Sequence, residues 1–157
     1  MFVDLFGGHG SLAANVYLSL AGQSAKNAAV TAAASSALTD RPDDLRVLKA
    51  ILAIAKTNEN DRNKLAHWTW GESPSLPDAV LLFDPRSSLG DDIDLSKVFV
   101  YRAPDFQSII QSNDRLCGFC LSFKFILNGH VANRDGRLLN ELLAEPEISS
   151  RVAGGNR

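Results

Sequence analysis

Within Asp61-Arg62-Asn63-Lys64-Leu65-Ala66-His67 an arginine, an amide, a lysine and a histidine crowd into one short stretch. Such a set suits cleavage of an RNA phosphodiester by the neighbouring 2′-hydroxyl. That reaction needs a group that moves a proton, and an imidazole titrates in the right range. It also needs positive charge at the phosphorane oxygens, where a guanidinium offers a fixed fork for two of them. The nucleophile already belongs to the substrate, so no water has to be activated, and neither metal nor cofactor is expected. His67 is then the proton-transfer group, Arg62 stabilises the transition state, and Asn63 orients the phosphate or the imidazole. Lys64, Trp68 and Trp70 flank this set as expected substrate contacts, the indoles as stacking surfaces for bases. The plain structural alternative pairs Arg62 with Asp61 or Glu59 on a solvated face, lets His67 end a helix, and packs the two tryptophans onto neighbouring strands.

The element that must position these residues is the strongest helical signal in the chain. From Asp43, Leu45, Leu48, Ile51, Leu52 and Ile54-Ala55 recur at three- and four-residue spacing, leaving Arg46, Lys49, Lys56 and Glu59 to solvent. The pattern runs on through Asn58, Arg62 and Leu65 to about Trp68, a helix ~37 Å long at the usual rise. Gly71, Ser73, Pro74 and Pro77 follow as breakers. Asn63 and His67, at i and i+4, share one helix face. Arg62 and His67 lie about 140° apart around a regular helix and do not. They converge either through a distortion near Trp68 or across a two-fold axis, where a second chain brings the same helix to one cleft.

Around that helix the chain reads as mainly helical. Ser11 is placed to cap a helix from Leu12 that breaks at Gly22, and a second, Ala-rich stretch covers Ser24 to Leu38. The β-prone runs Ala79–Phe83 and Val98–Tyr101 predict two antiparallel strands joined by a long connection. Helix returns from Pro104, with Phe106, Ile109, Ile110, Asn113, Leu116, Cys117, Cys120, Phe123, Leu127 and Val131 as an apolar stripe, and a short last helix covers Arg137 to Ala144. Pro146 and Gly154-Gly155 suggest a loose tail. The expected architecture is an antiparallel helical bundle with a small two-stranded β-hairpin attached, one domain over 1–144 and a disordered tail over 145–157.

Arg-Asn-x-x-x-His at the end of a long helix resembles the signature of the HEPN superfamily, an Arg separated from a His by four to six residues. Leu-Ala-Gly-Gln-Ser-Ala-Lys-Asn-Ala-Ala, the long helix, Arg-Asn-Lys-Leu-Ala-His-Trp-Thr-Trp-Gly and Leu-Pro-Asp-Ala-Val-Leu-Leu-Phe-Asp-Pro together resemble bacterial HEPN-like proteins over Leu5 to Val131. The resemblance implies a helical bundle that forms a homodimer through its motif helices. It also implies a metal-independent endoribonuclease of the toxin–antitoxin or defence type, with an antitoxin as a further partner. Other members have lost activity and bind a nucleotide, RNA or a protein partner; a dimeric helical scaffold is the barest form. By the same resemblance Arg62 and His67 correspond to the catalytic pair and Asn63 to the polar position beside the arginine. The related sequences commonly carry a small residue after the histidine, where this chain has Trp68.

Composition sets the outer bounds. The chain has 157 residues, 45 % of them hydrophobic, which suffices for a sizeable core. A net charge of −2 excludes a broad cationic surface for nucleic acid but not a local patch. The N-terminal stretch carries an acid and no Lys or Arg, unlike a secretory leader, so a cytoplasmic protein without membrane contact is expected. Cys117-Gly118-Phe119-Cys120 has redox-motif spacing but sits in a helical stripe, where two buried core cysteines are expected. Gly7-Gly8-His9-Gly10 lacks the rest of a phosphate loop, and His130 is expected to cap or to face solvent. Asp91, Asp92 and Asp94 lack the glycine and terminal glutamate of a calcium hand.

Overall fold

A computed structural model describes residues 5, 10–88 and 95–154. Six helices and a three-stranded antiparallel sheet make up the described residues, so the class is mainly α. The glycine-rich lead Gly7-Gly8-His9 and the acidic stretch Asp91, Asp92 and Asp94 lie outside them. Two compact units emerge, Met1–Ile54 with Leu116–Arg157, and Ala55–Arg115; both cuts fall inside continuous helices.

The first unit holds α1 (Gly10–Ser19), α2 (Gly22–Ala37), the start of α3 (Pro42–His67), the end of α4 (Ala103–Leu127), α5 (Arg137–Ala144) and α6 (Pro146–Gly154). The expected break falls at Gly22, whose φ of 77° is a left-handed backbone that glycine tolerates and that sets off α2. Along α3, Val47, Leu48, Ile51 and Ile54 are each no more than 2 % exposed. They meet Val30, Ala34 and Leu38 of the second helix region and Phe119, Phe123 and Ile126 of α4 in one core. Asp44 is buried, and Arg41 neutralises it as an ion pair while donating from its guanidinium to the Ile126 carbonyl at 3.3 Å. Without that partner the carboxylate would carry a desolvation cost.

Two expectations are corrected in this unit. Cys117 is exposed and Cys120 only half-buried, both as free thiols, so they are not a buried core pair. The reason is helical phase: Leu116, Phe119 and Phe123 set the buried stripe, and Cys117 stands one position, about 100°, off it. Burial pushes the Cys120 thiol up, and the neighbouring Cys117 adds to the shift. The stretch after Glu145 is helical from Pro146 to Gly154 rather than loose. Proline at the first helical position starts a helix instead of breaking one. The Glu145 carbonyl accepts from Ile148 and Ser149, and the Ile148 side chain is fully buried. His130 caps the 3-10 turn Val131–Gly136, its Nδ1 accepting from the Ala132 amide at 3.1 Å.

The second unit holds the end of α3, β1 (Thr69–Gly71), β2 (Ala79–Phe83), β3 (Val98–Arg102) and the start of α4. The two expected strands pair antiparallel as β2 and β3, Leu82 opposite Phe99. The sheet has a third strand where a two-stranded hairpin was expected: β1 adds on the other side of β2, Thr69 opposite Phe83 and Trp70 opposite Leu82. Leu82 is fully buried in the central strand. Within this unit a polar cluster ties the end of α3 to the start of α4. Asn58, 9 % exposed, donates to Asn113 Oδ1 at 3.3 Å and accepts from Ser112 at 3.1 Å, while Asn113 donates to its own helix at the Ile109 carbonyl. Among the described residues no helix is long and apolar enough to cross a membrane.

Candidate functional site

The end of α3 and its exit into the sheet set the site. α3 stays α-helical through His67, and the Trp68 amide still bonds the Lys64 carbonyl at 2.9 Å. The next orphan acceptor, the Leu65 carbonyl, is met by the Trp70 indole N–H at 3.1 Å instead of by a further turn of helix. β1 then begins at once and pairs its backbone with β2. The helix therefore ends because a side chain and a strand take over its terminal groups, several residues before the glycine and prolines downstream.

The α-helix is unbroken between them, so Arg62 and His67 keep separate faces of the helix within one chain. A groove of about 310 Å³ is lined by Asn63, His67, Trp68, Asp84, Pro85 and Arg86. Arg62 is exposed outside this lining, and its guanidinium donates to Asn63 Oδ1 at 3.2 Å. Asn63 thus faces the groove with His67 and holds Arg62 at the same time. Neither acid named for Arg62 in the plain alternative takes it. Asp61 lies 4.0 Å from Lys64 Nζ, and Glu59 pairs with Lys56 at 3.0 Å.

The other expected contacts divide. Lys64 places its ammonium 4.3 Å from the Phe99 ring centroid and 5.8 Å from that of Trp68, a cation held against aromatic faces rather than in the groove. Trp68 meets Phe99 edge-on at 5.3 Å and lines the groove with the rest of its surface. Trp70 stacks on Phe106 at 6.2 Å and spends its N–H on the helix end, so it lies apart from the groove.

Sequence reasoning missed the opposite wall. Asp84, Pro85 and Arg86 follow β2, and the antiparallel register that sets Phe83 beside Thr69 returns them to the end of α3. The signal is geometric: a strand directly after His67 brings the residues after its partner strand back to His67. Reading it required β1, too short for a period of its own. The Arg86 amide donates to Asp84 Oδ1 at 2.9 Å, which fixes this turn.

A larger cavity, about 760 Å³, runs along the loop from Glu72 to Val80. Its charged lining is Glu72 and Asp78, the latter paired with Arg102 at 3.0 Å, and it offers no imidazole for proton transfer. Carboxylates repel phosphate, so the smaller groove is the candidate site. Among the described residues no group of three or more His, Cys, Asp or Glu is placed to hold a metal ion. No family model, curated protein or solved structure matches the chain.

Proposed function

We propose that the chain is a HEPN-like, metal-independent endoribonuclease that acts as a homodimer through the ends of its α3 helices. The observation that carries this reading is Asn63, which lines the groove with His67 while accepting a hydrogen bond from Arg62. An imidazole, an amide and a guanidinium are thereby linked at one helix end. In the reaction the 2′-oxygen bonds to phosphorus as the P–O5′ bond breaks. The 2′-hydroxyl loses one proton and the 5′-oxygen gains one, leaving a 2′,3′-cyclic phosphate and a 5′-hydroxyl. His67 carries one of these transfers. Because α3 is regular α-helix through His67, the guanidinium that meets the phosphorane opposite His67 is supplied by Arg62 of a second copy. Cleavage of this kind inside a cell calls for restraint, which fits a neutralising partner of the antitoxin type and a cytoplasmic setting.

Trp68 favours a second reading. Its indole lines the groove where HEPN-like relatives commonly carry a small residue after the histidine. A groove narrowed in this way binds a nucleotide or RNA without cutting it. Cleavage of a mixed RNA pool in EDTA separates the two. Wild type is expected to release 2′,3′-cyclic phosphate ends, with His67→Ala and Arg62→Ala at least about a hundredfold slower yet still folded. If wild type leaves the pool intact, or the variants cut equally well, catalysis by these residues is excluded and the silent binding module stands.

A further inference from the structure

We infer that Arg86 is an RNA-backbone anchor, a guanidinium that holds a phosphate in the groove beside His67; this rests on the nuclease reading and adds a residue to it. The first support is its pairing state. Arg41, Arg46, Arg102 and Arg137 are each taken up by a carboxylate, Asp44, Asp43, Asp78 and Glu141 respectively. Arg86 lines the groove with an exposed side chain that has no ion pair among the described residues. The second support is how it is held. It sits in the 3-10 turn Pro85–Ser88, directly after a proline with a fixed φ, and its amide is bound to Asp84. Its backbone is set before any ligand arrives, so the side chain is presented to the groove from a constrained point rather than from a floppy loop.

The third support is the chemistry of the lining. A guanidinium, an imidazole and an amide offer donors to an anion, and one oxygen of the single carboxylate accepts from the Arg86 amide. Trp68 adds an aromatic wall. Cationic donors beside an indole suit a nucleotide unit, its phosphate on the fork and its base against the ring. A volume of about 310 Å³ is at the small end of ligand sites and fits one such unit better than an extended strand. Arg86 therefore fixes a phosphate of the backbone within the same chain as His67, whereas Arg62 reaches the reaction from a second copy. Its part is to bind and register the RNA, not to move a proton.

The test is binding of a short 2′-O-methyl RNA, which has no free 2′-hydroxyl and is not cut, to the intact chain in EDTA across a salt series. Arg86→Ala is expected to weaken binding about tenfold, and to lower the slope of log affinity against log salt by about 0.7, the loss of one single-strand phosphate contact. Arg86→Lys keeps the charge and is expected to retain the slope with a smaller loss of affinity. Arg134→Ala, removing an exposed arginine outside the groove, is expected to change neither. Circular dichroism confirms that each variant is folded, and should Arg86→Ala not fold, Arg86→Gln replaces it. If wild type binds but the Arg86 variants bind equally well with the same slope, the anchor is refuted and the nuclease reading survives. If wild type binds no RNA and cuts none, the reading itself fails and the anchor with it.

Discussion

Tyr101 shows how single groups in the second unit sense their surroundings. Its ring packs on Phe106 at 5.7 Å, and burial together with the nearby Asp61 and Asp105 carboxylates raises its phenol above the ordinary value of 10.0. The folded protein then keeps the phenol proton at pH values where the unfolded chain has begun to lose it. The resulting contribution is whole below the ordinary value and is lost as pH rises through the folded value. Urea midpoints should thus fall from about pH 10 upward, and fall less steeply in Tyr101→Phe. Parallel curves for the two proteins would show that the phenol plays no part. At this scale the sequence was legible where helical spacing decides, since Asn63 and His67, read as sharing one face at i and i+4, both line the groove. It was silent where the third dimension decides, as with Arg86, whose place beside His67 depends on strand register. The cysteines were misread for a related reason, since a stripe drawn along α4 takes in Cys117 unless the helical phase is followed residue by residue.

At the scale of elements, the long periodic segments were legible. α3 follows from spacing that only a helix can bury on one side, and β2 and β3 from short apolar runs between loops. What escaped were the elements too short to carry a period. β1 is three residues long and exists because β2 offers it a free edge. α6 is nine residues long, and its proline and glycine read as breakers although they stand at its first and last positions. The two readings of that tail differ in energy. A loose tail tolerates Ile148→Ala freely, whereas a side chain with no exposure in the first unit's core loses both transfer energy and packing. The substitution should cost about 2–5 kcal/mol in denaturant unfolding, with circular dichroism at native pH little changed. A cost below about 0.5 kcal/mol would place the segment outside the core.

For the molecule as a whole, net charge argues that any grip on RNA is local. At −2 overall the surface supplies no general attraction for a polyanion, so the proposed reading requires the arginines at the end of α3 and after β2 to act at short range. They are divided: Arg86 lines the groove of its own chain, and Arg62 stands outside that lining on another face of α3, bonded to Asn63. A site that needs Arg62 opposite His67 is then completed only by a second copy, and this has a consequence that no single variant tests. On the nuclease reading, Arg62→Ala and His67→Ala are each expected to be inactive alone. In a mixed dimer one composite site lacks both residues, and the other receives Arg62 from one chain and His67 from its partner. Equal mixing puts about half of the dimers in the mixed form with one intact site out of two, so about a quarter of wild-type activity should return. Co-expression of the two variants, with mixed dimers confirmed by native mass spectrometry, checks this through the rate of cyclic-phosphate formation. A pair acting within one chain predicts no recovery at all, because each chain of the mixed dimer still lacks one member. Recovery near a quarter therefore assigns the two residues to opposite chains, and mixed dimers as inactive as their parents would return the whole reaction to the groove of a single chain.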